Sequence, residues 1–537
     1  MRPRPPLALL IAAPALLGAG GAALLSMSEV NTAKAALATA GAVLLGVRLL
    51  PGRWPPRLRR SGDAALLVAG LLGAAAWTNW GQFHYPGFGH PSETFHYYLG
   101  AKYYEELGHT RLYACVAVAE AEAGVPGLEA RFLRDLETNS VVSARAALAS
   151  PEACRQHFTP ERWSAFTEDV AWFRDKPNPR RWRLMQTDHG YNATPVWGWL
   201  GGLLANTGPA TDTRIEALRL LDPLLLVVGW GAAAWVFGWR AACVALIFFG
   251  TSYPSQYGWT GGAYLRQLEL VAIVLALSCL RRERALAGGF LLGLAALFRV
   301  YPVLLFAGPA LQIGVQSVRA RRLSLEPAQR RLVLGALLSL AVALPIAGWG
   351  TGGLAGWQAF AQNSRVLLDT PLRNHVGLRT FLSHESGLRA DALANPSLDD
   401  PYEPWKQARS AAFERRRPLF VALVAGFVAL LGAAVARQPL WAAVLLSAGL
   451  VPMALELTSY YLALLAVYGL LTVRYPPVGA ALCTLAAVGW LLATRLAFFD
   501  VIFPWISLVS ALFVVFATVW AWRAVPVSNP SKRPPSA

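Results

Sequence analysis

The sequence predicts an all-α, polytopic helical membrane protein, and three observations support this fold class. Of the 537 residues, 55% are hydrophobic and only 15% are charged, and the mean hydropathy is +0.40. The apolar residues form long uninterrupted runs, as expected of segments that cross a bilayer, rather than amphipathic stripes. Arginine clusters such as RWPPRLRR at 53–60 separate the runs, as in the cytoplasmic loops of membrane proteins.

Apolar runs follow one another along the whole chain. They cover approximately residues 6–26, 33–50, 63–79, 217–237, 240–254, 263–280, 285–299, 300–316, 331–349, 417–437, 439–455, 457–473, 477–495 and 502–523. Several are shorter than the roughly 20 residues that span a bilayer, so we expect about 14 spans, within a range of about 12–14. The first run follows Met1-Arg2-Pro3-Arg4 and is interpreted as a retained signal-anchor.

The arginines also predict the orientation. Because cytoplasmic loops carry an excess of Lys and Arg, the basic segments place the N-terminus in the cytoplasm and residues 80–192 outside. Alternation of sides then requires that the short run at 195–206 is re-entrant or interfacial and does not cross. The basic run at 414–418 conflicts with this orientation, since it falls on the outer side. We expect the inner membrane of a bacterium, with the active site in the periplasm.

This orientation divides the chain into six segments. They are N-terminal transmembrane helices (1–79), a large periplasmic loop with amphipathic helices (80–192), a transmembrane core with the re-entrant segment (193–349), a second periplasmic loop (350–416), C-terminal transmembrane helices (417–523) and a cytoplasmic tail (524–537).

Charge and motif content exclude several classes of function. The formal net charge of +17 comes from 48 Lys and Arg, but these lie at loop ends beside apolar runs, which predicts contact with membrane lipids and no binding of nucleic acid. No cluster of His, Cys and Asp has metal-ligand spacing, and no phosphate-binding loop or nucleotide-sugar motif is visible. We therefore predict no metal site and no required cofactor, and a divalent cation stays an open alternative.

Two cysteines lie in the large outer loop. Cys115 and Cys154 can form a disulfide in an oxidising compartment, or they can remain two independent thiols. The other three cysteines, Cys243, Cys279 and Cys483, lie in apolar runs.

The stretch HPSETFHYYLGAKYYEELGHTRLY, at 90–113, carries the candidate catalytic carboxylate. Ser92 is the predicted N-cap of a helix, so Glu93 occupies the first turn, where the helix dipole favours an ionised carboxylate. Tyr97 follows four residues later and faces the same side. Gly108 is the predicted C-cap. The alternative interpretation is that Glu93 only supports the helix terminus and the tyrosines belong to an interfacial aromatic belt.

The pattern acid-x-x-x-Tyr-Tyr-x-x-Ala resembles the first periplasmic loop of GT-C superfamily membrane glycosyltransferases, most closely glycosyltransferase family 87, whose donor is a polyprenyl-phosphate-mannose. The matching residues are Glu93, where the family usually has aspartate, Tyr97, Tyr98, Ala101, Gly108 and Tyr113. Three more segments resemble the family in the same order: 190–204, then 293–306 with Arg299 at the family's lysine position and Pro302 kept, and 373–382 with Asn374 matching.

The resemblance implies an enzyme that moves a sugar from a polyprenyl-phosphate donor to a hydroxyl of a glycolipid, glycan or protein acceptor. Glu93 would be the catalytic base of a single displacement, and Asp188 and His189 are the alternative acid or base. The expected phosphate ligands are Arg299, Arg373, His375 and Arg379. The alternative for Arg299 is a snorkelling interfacial arginine, and the alternative for the other three is an ordinary solvated position. The expected substrate-pocket residues are His96, Tyr97, Tyr191 and Asn374.

Two other classes of protein fit the same composition. A lipid or glycan transporter or flippase commonly shows internal repeats and ionisable groups in mid-span, and neither is visible in the sequence. A non-catalytic envelope-assembly protein would tolerate loss of the Glu93 carboxylate, which distinguishes it from the enzyme.

Overall fold

The computed structural model describes residues 25–52, 55–84 and 87–524. The chain in these ranges is mostly helical, and seven helices are long and apolar enough to cross a membrane: Met27–Val47, Asp212–Phe237, Tyr301–Ala320, Pro327–Thr351, Glu403–Val435, Pro476–Arg495 and Phe499–Arg523. Shorter apolar helices lie between them, at Trp239–Thr251, Ala285–Phe298, Leu440–Ala454 and Ser459–Val473. These helices confirm the prediction of a helical membrane protein, whereas the total of about 14 spans stays a prediction.

Two further helices complete the bundle. Pro56–Trp77 begins with arginines, and Leu268–Arg281 is short. The predicted signal-anchor at 6–26 and the predicted tail at 524–537 lie almost entirely outside the described residues.

Polar contacts gather at two opposite ends of the helices. At one end Asp63 accepts a hydrogen bond from Arg240 Nε (2.9 Å) and is paired with Arg48, which ties Pro56–Trp77 to its neighbours. At the other end, which we call the Glu93 end, His90 N–H donates to the carbonyl of Gly262 at 3.0 Å. The segments that precede the helices Pro91–Lys102 and Leu268–Arg281 therefore meet one another.

The large loop builds its own apolar core from short helices: Pro91–Lys102, Tyr104–Leu107, Leu112–Glu122, Arg145–Ala149, Glu152–Arg155, Pro160–Asp175 and Pro179–Met185. A hairpin of two antiparallel strands, Phe132–Asp135 and Ser140–Ser143, was not predicted. Buried Asp169 accepts hydrogen bonds from Lys102 Nζ (2.6 Å) and Tyr103 Oη (2.8 Å). Cys115 and Cys154 form a disulfide, with their Cα atoms 5.4 Å apart.

The predicted re-entrant segment forms the helix Pro195–Ala205. Eleven residues rise only about 17 Å, little more than half of a hydrocarbon core. Thr194 caps the helix and also donates a hydrogen bond to the carbonyl of Leu297 (2.6 Å), and Asn206 at the other terminus donates to the carbonyl of Lys102 (3.3 Å). The helix is thus tied to the helix Ala285–Phe298 at its N-cap and to the large loop at its C-cap.

The second loop contains the helices Leu354–Leu368, Leu378–Leu382 and Ala390–Leu393, and its strand His375–Val376 pairs antiparallel with Leu457–Thr458. The predicted domain boundary at 416/417 falls inside the helix Glu403–Val435. At about 50 Å this helix exceeds the thickness of a bilayer. The basic run at 414–418 therefore lies in its projecting half, where Arg416 Nη2 contacts Glu385 (2.9 Å) and Nη1 donates to the carbonyl of Leu382 (2.7 Å).

Candidate active site

The helix that carries Glu93 begins two residues earlier than predicted. Its N-cap is His90, whose Nδ1 accepts the backbone N–H of Glu93 (3.1 Å), and Pro91 is the first helical residue. The prediction of Ser92 as the cap is wrong, because proline fits the first helical position and moves the capping role to the residue before it. Glu93 lies in the first turn, and Tyr97 lies on its side of the helix.

Glu93 contacts an arginine that the sequence did not single out. Its carboxylate Oε2 lies 2.7 Å from Nε of Arg266, and the two side chains are 16% and 2% exposed. The contact is ionic and poorly directed, since within the described part of the chain neither of these two atoms has a partner in hydrogen-bond geometry. Burial alone would lower the pKa of Arg266, but Glu93 and Tyr97 raise it well above its ordinary value, so the guanidinium stays charged.

Tyr97 joins this arginine to a second one. Its phenolic oxygen accepts hydrogen bonds from Nη1 of Arg266 (2.8 Å) and Nη2 of Arg299 (3.2 Å), and its hydroxyl donates to Oδ1 of Asn192 (2.5 Å). Both guanidinium groups also lie over the tyrosine ring, at 4.6 Å and 5.3 Å from its centre. Burial raises the pKa of Tyr97 despite the two nearby cations, so the phenol is un-ionised at neutral pH.

The backbone of the turn before Leu268–Arg281 holds Arg266 in place. The N–H groups of Arg266 and Gln267 donate to the buried carboxylate of Asp222 (2.9 and 3.2 Å), and the carbonyl of Leu265 accepts the indole N–H of Trp197 (2.9 Å). Leu265 has a φ of 56°, a left-handed conformation that costs an ordinary residue about 1–3 kcal/mol. The surrounding hydrogen bonds hold the backbone of this turn in the strained conformation.

Arg299 is buried at the end of Ala285–Phe298, so it is not the snorkelling arginine of the alternative interpretation. Its Nε has no hydrogen-bond partner among the described residues, and the same holds for Oε2 of the buried Glu269. Unpaired polar atoms in buried positions cost free energy. We call Glu93, Tyr97, Arg266 and Arg299 the Glu93 cluster.

A second carboxylate, Glu456, lies close to the strand pairing of the second loop. Thr380 donates to it (2.7 Å), Arg409 forms an ion pair with it, and Nε of Arg379 lies 3.4 Å away. His375 Nδ1 is 3.9 Å from the same carboxylate. We call these five residues the Glu456 cluster. Tyr460, one turn further, contacts the guanidinium of Arg266 at 5.2 Å and so links the two clusters.

The charges of the Glu456 cluster are set by its arginines. Burial would raise the pKa of Glu456, but Arg409, His375 and Arg379 lower it to about 2. Burial is the largest effect on His375 and lowers its pKa to about 4. His375 is thus a neutral imidazole at pH 7 and supplies no positive charge for a phosphate.

The predicted phosphate ligands do not converge on one point. Of the four, Arg299 lies with Glu93, whereas His375 and Arg379 surround Glu456. Arg373 is half-exposed and pairs with Asp391 at 3.1 Å. One cavity does lie in this region, lined by Leu372, Arg373, Thr380, Ser383, His384, Leu388, Trp405, Arg409, Asp500 and Pro504, and Glu93 is not part of its wall.

The predicted pocket residues also separate. Tyr97 belongs to the Glu93 cluster, and the buried ring of Tyr191 packs against it with centres 5.7 Å apart. His96 faces the interior of the large loop, where its Nε2 contacts Tyr113 Oη (2.7 Å). The backbone carbonyl of Asn374 accepts the N–H of Ser459 (2.9 Å), which places Asn374 beside the Glu456 cluster.

Among the described residues, Asp188 and His189 make no hydrogen bond with the Glu93 cluster, and Asp188 acts electrostatically on His90, the cap of the helix that carries Glu93. His189 Nδ1 is 2.9 Å from Oδ1 of Asn139, and burial with nearby Arg134 lowers the pKa of His189 to about 3. Burial would raise the pKa of Asp188, but His96 and His189 lower it below its ordinary value. The nearby imidazoles thus favour the ionised form of the Asp188 carboxylate.

Sequence reasoning missed Arg266 and Asn192. The segment QYGWTGGAYLRQ, at 256–267, has a visible signal, because a single arginine follows a glycine pair and precedes an apolar helix. Asn192 lies inside the matched segment 190–204 without being one of its expected residues.

Comparison with family models, characterised proteins and solved structures finds no match to this chain. Within the described ranges, no group of three His, Cys, Asp or Glu side chains is arranged to hold a metal ion.

Proposed function

We propose that this protein is a membrane glycosyltransferase that moves a sugar from a polyprenyl-phosphate donor to an acceptor hydroxyl at the Glu93 end of the molecule. The observation that carries the proposal is a partly exposed carboxylate beside two buried guanidinium groups, at the end of a bundle of apolar helices. A carboxylate suits the removal of a proton, and fixed guanidinium groups suit a phosphate that leaves with negative charge.

The chemistry is a single displacement. The acceptor oxygen bonds to the anomeric carbon, and the hydroxyl proton passes to the Glu93 carboxylate. The bond between the anomeric carbon and the phosphate oxygen breaks, and its electron pair leaves with the phosphate. Arg266 and Arg299 both donate to the phenolic oxygen of Tyr97, so their fork-shaped groups are close enough together for two oxygens of one phosphate.

The Glu93 cluster is partly open to the surface of the protein, as a site for an incoming substrate must be. Arg266 and Arg299 are buried, whereas Glu93, Asn192, Tyr460 and Tyr461 are partly exposed around them. Two apolar helices that are long enough to span a bilayer adjoin the cluster: Asp212–Phe237, through Asp222, and Tyr301–Ala320, which follows Arg299. The polyprenyl chain of the donor is expected to remain in the membrane beside them.

Glu93→Gln tests the proposal directly. The amide keeps the shape of the side chain and cannot take a proton, and loss of a general base typically costs about 10²–10⁴-fold in rate. We expect sugar transfer from polyprenyl-phosphate-linked sugars by the purified protein to fall by at least about 100-fold.

Glu105→Gln is the matched control, because Glu105 is an exposed glutamate of the same loop. It should transfer sugar at the wild-type rate. Full sugar transfer by Glu93→Gln, with an unchanged melting temperature, would exclude a catalytic role for this carboxylate. Absence of transfer by the wild-type protein from every polyprenyl-phosphate sugar supplied would count against the reaction itself.

A further inference from the structure

Arg266 is already in contact with an anion. The carboxylate of Glu93 lies 2.7 Å from its Nε, and both side chains are mostly buried. An ion pair of this kind is strongest when the donors point at the carboxylate oxygens. Here, within the described residues, Glu93 Oε2 and Arg266 Nε have no partner in hydrogen-bond geometry. The contact therefore neutralises charge without forming the directed bonds that would make it permanent.

Arg299 offers further unused capacity beside this pair. Of its five N–H donors, one makes a side-chain hydrogen bond, to Tyr97, and the buried Nε has no partner in the part of the chain that the structure describes. The backbone of Arg266 is held by Asp222, and its guanidinium also donates to Tyr97, so Glu93 is not the only group that positions Arg266. The two guanidinium groups thus form a preorganised site for one more anion.

We propose that Glu93 occupies, in the free protein, the position on Arg266 that a phosphate oxygen takes when the phosphorylated lipid binds. The inference rests on the proposed function and adds a regulatory step to it. While its oxygen is in contact with Arg266, the Glu93 carboxylate is not free to approach the acceptor hydroxyl. Displacement by phosphate frees the Glu93 carboxylate only when the donor is present, so proton removal is coupled to donor binding.

Replacement of the Glu93 carboxylate by a phosphate on Arg266 should lower the measured affinity for phosphate. The apparent affinity for the incoming phosphate is reduced by the fraction of protein in which Glu93 blocks Arg266. If the blocked form accounts for about nine tenths of the free protein, removal of the Glu93 charge should tighten phosphate binding about tenfold.

The test uses full-length protein in detergent and radiolabelled farnesyl phosphate, with the dissociation constant measured by equilibrium dialysis. We expect Glu93→Gln to bind about tenfold more tightly than wild type and Arg266→Gln to bind at least about tenfold more weakly. In the Arg266→Gln background, Glu93→Gln should bring no gain, because the two residues act through one contact. Glu105→Gln should leave the dissociation constant unchanged.

Two further ligands show whether the tighter binding by Glu93→Gln comes from the phosphate or from the isoprenoid chain. Inorganic phosphate should show the same direction of change with a weaker affinity, and farnesol, which has no phosphate, should bind wild type and Glu93→Gln equally. An equal gain for farnesol would overturn the inference, because the gain would not arise from the anion. If Glu93→Gln is not stable enough to purify, Glu93→Asp withdraws the carboxylate from Arg266 by one methylene and should still bind several-fold more tightly.

The outcomes also distinguish the inference from the proposed function. Unchanged or weaker binding of farnesyl phosphate by Glu93→Gln, together with lost sugar transfer, would overturn the exchange and leave the base in place. Tighter binding together with retained sugar transfer would support the exchange and remove the catalytic role of Glu93.

Discussion

The Glu93 cluster and the Glu456 cluster share a central ionic group and differ in how completely that group is paired. Each is a glutamate beside two arginines, at the same end of the helix bundle. Glu456 receives a directed hydrogen bond from Thr380 at 2.7 Å and an ion pair from Arg409. Glu93 has a single ionic contact, to Arg266.

The arginines differ in the same way. Arg409 donates to Ser383 Oγ (3.1 Å), to the carbonyl of Leu372 (3.2 Å) and to Thr380 Oγ1 (3.3 Å), in addition to its ion pair with the carboxylate. It joins the helix Glu403–Val435 to the second loop. Arg299, by contrast, makes one side-chain hydrogen bond.

The difference separates a structural ion pair from a candidate binding site. A buried charge network whose members are all paired stabilises one arrangement of the chain. A network with unpaired buried donors is less stable than it would be with a ligand, and such groups concentrate at functional sites. We therefore assign anchoring of the second loop to the Glu456 cluster and substrate contact to the Glu93 cluster.

Loss of Arg409 should produce the largest change in stability. Arg409→Leu leaves the buried Glu456 carboxylate without its closest cation, and removal of one member of a buried pair costs about 3–5 kcal/mol. Thermal unfolding in detergent should show this loss. Arg417→Leu is the control, since exposed Arg417 pairs with exposed Glu414 and such pairs contribute less than about 1 kcal/mol.

If Arg266→Leu destabilised the protein as much as Arg409→Leu does, the proposed difference between the two clusters would be wrong. Glu93 is twice as exposed as Glu456, at 16% against 8%, so water can solvate it when its arginine is lost. We therefore expect the smaller loss of stability from Arg266→Leu.

Loss of the Cys115–Cys154 disulfide should increase local unfolding around the Glu93 cluster and leave the Glu456 cluster unchanged. Cys115 and Cys154 close a loop across a sequence separation of 39 in the segment that carries Glu93, and a disulfide of this span stabilises by about 2–4 kcal/mol. In the variant Cys115→Ser/Cys154→Ser, hydrogen exchange should accelerate in peptides covering 91–122. Peptides covering 375–382 should exchange at the wild-type rate. In the control variant Cys279→Ser, peptides covering 91–122 and 375–382 should both exchange at the wild-type rate.

Local features of the site were predictable from the sequence. Glu93 lies in the first turn of a helix and Arg299 lies at the end of another, because capping residues and apolar runs determine where helices begin and end. The short helix Pro195–Ala205 was expected to stay on one side, since its length is too small to cross.

Contacts between distant segments were not predictable. The pairing of Glu93 with Arg266 depends on how the turn at 256–267 meets the large loop, and no periodic pattern encodes that meeting. The conflict between the basic run at 414–418 and the predicted orientation also involves contacts between distant segments. The arginines of this run contact Glu385 and the carbonyl of Leu382 in the second loop, so they serve a tertiary role that a charge rule for loops does not include.

The smallest expected effect is the pH dependence of stability, which reports on the titration of His375. The pKa of His375 is about 4 in the folded protein and about 6.5 in the unfolded chain. The unfolded chain therefore binds a proton first as the pH falls, and stability that is present above pH 6.5 is lost towards pH 4. Between pH 7 and pH 5 this one residue should cost about 2 kcal/mol. Glu456 stays ionised in this range, because its pKa is about 2.

The measurement is the melting temperature of wild type and of His375→Asn at pH 7 and pH 5. Other buried histidines contribute to the wild-type slope, so the informative quantity is the difference between the two slopes. The variant should lose less stability on acidification than wild type does, while exposed His157→Asn should keep the wild-type slope. Equal slopes for His375→Asn and wild type would mean that His375 is solvated, and the Glu456 cluster would then be as open to ligands as the Glu93 cluster.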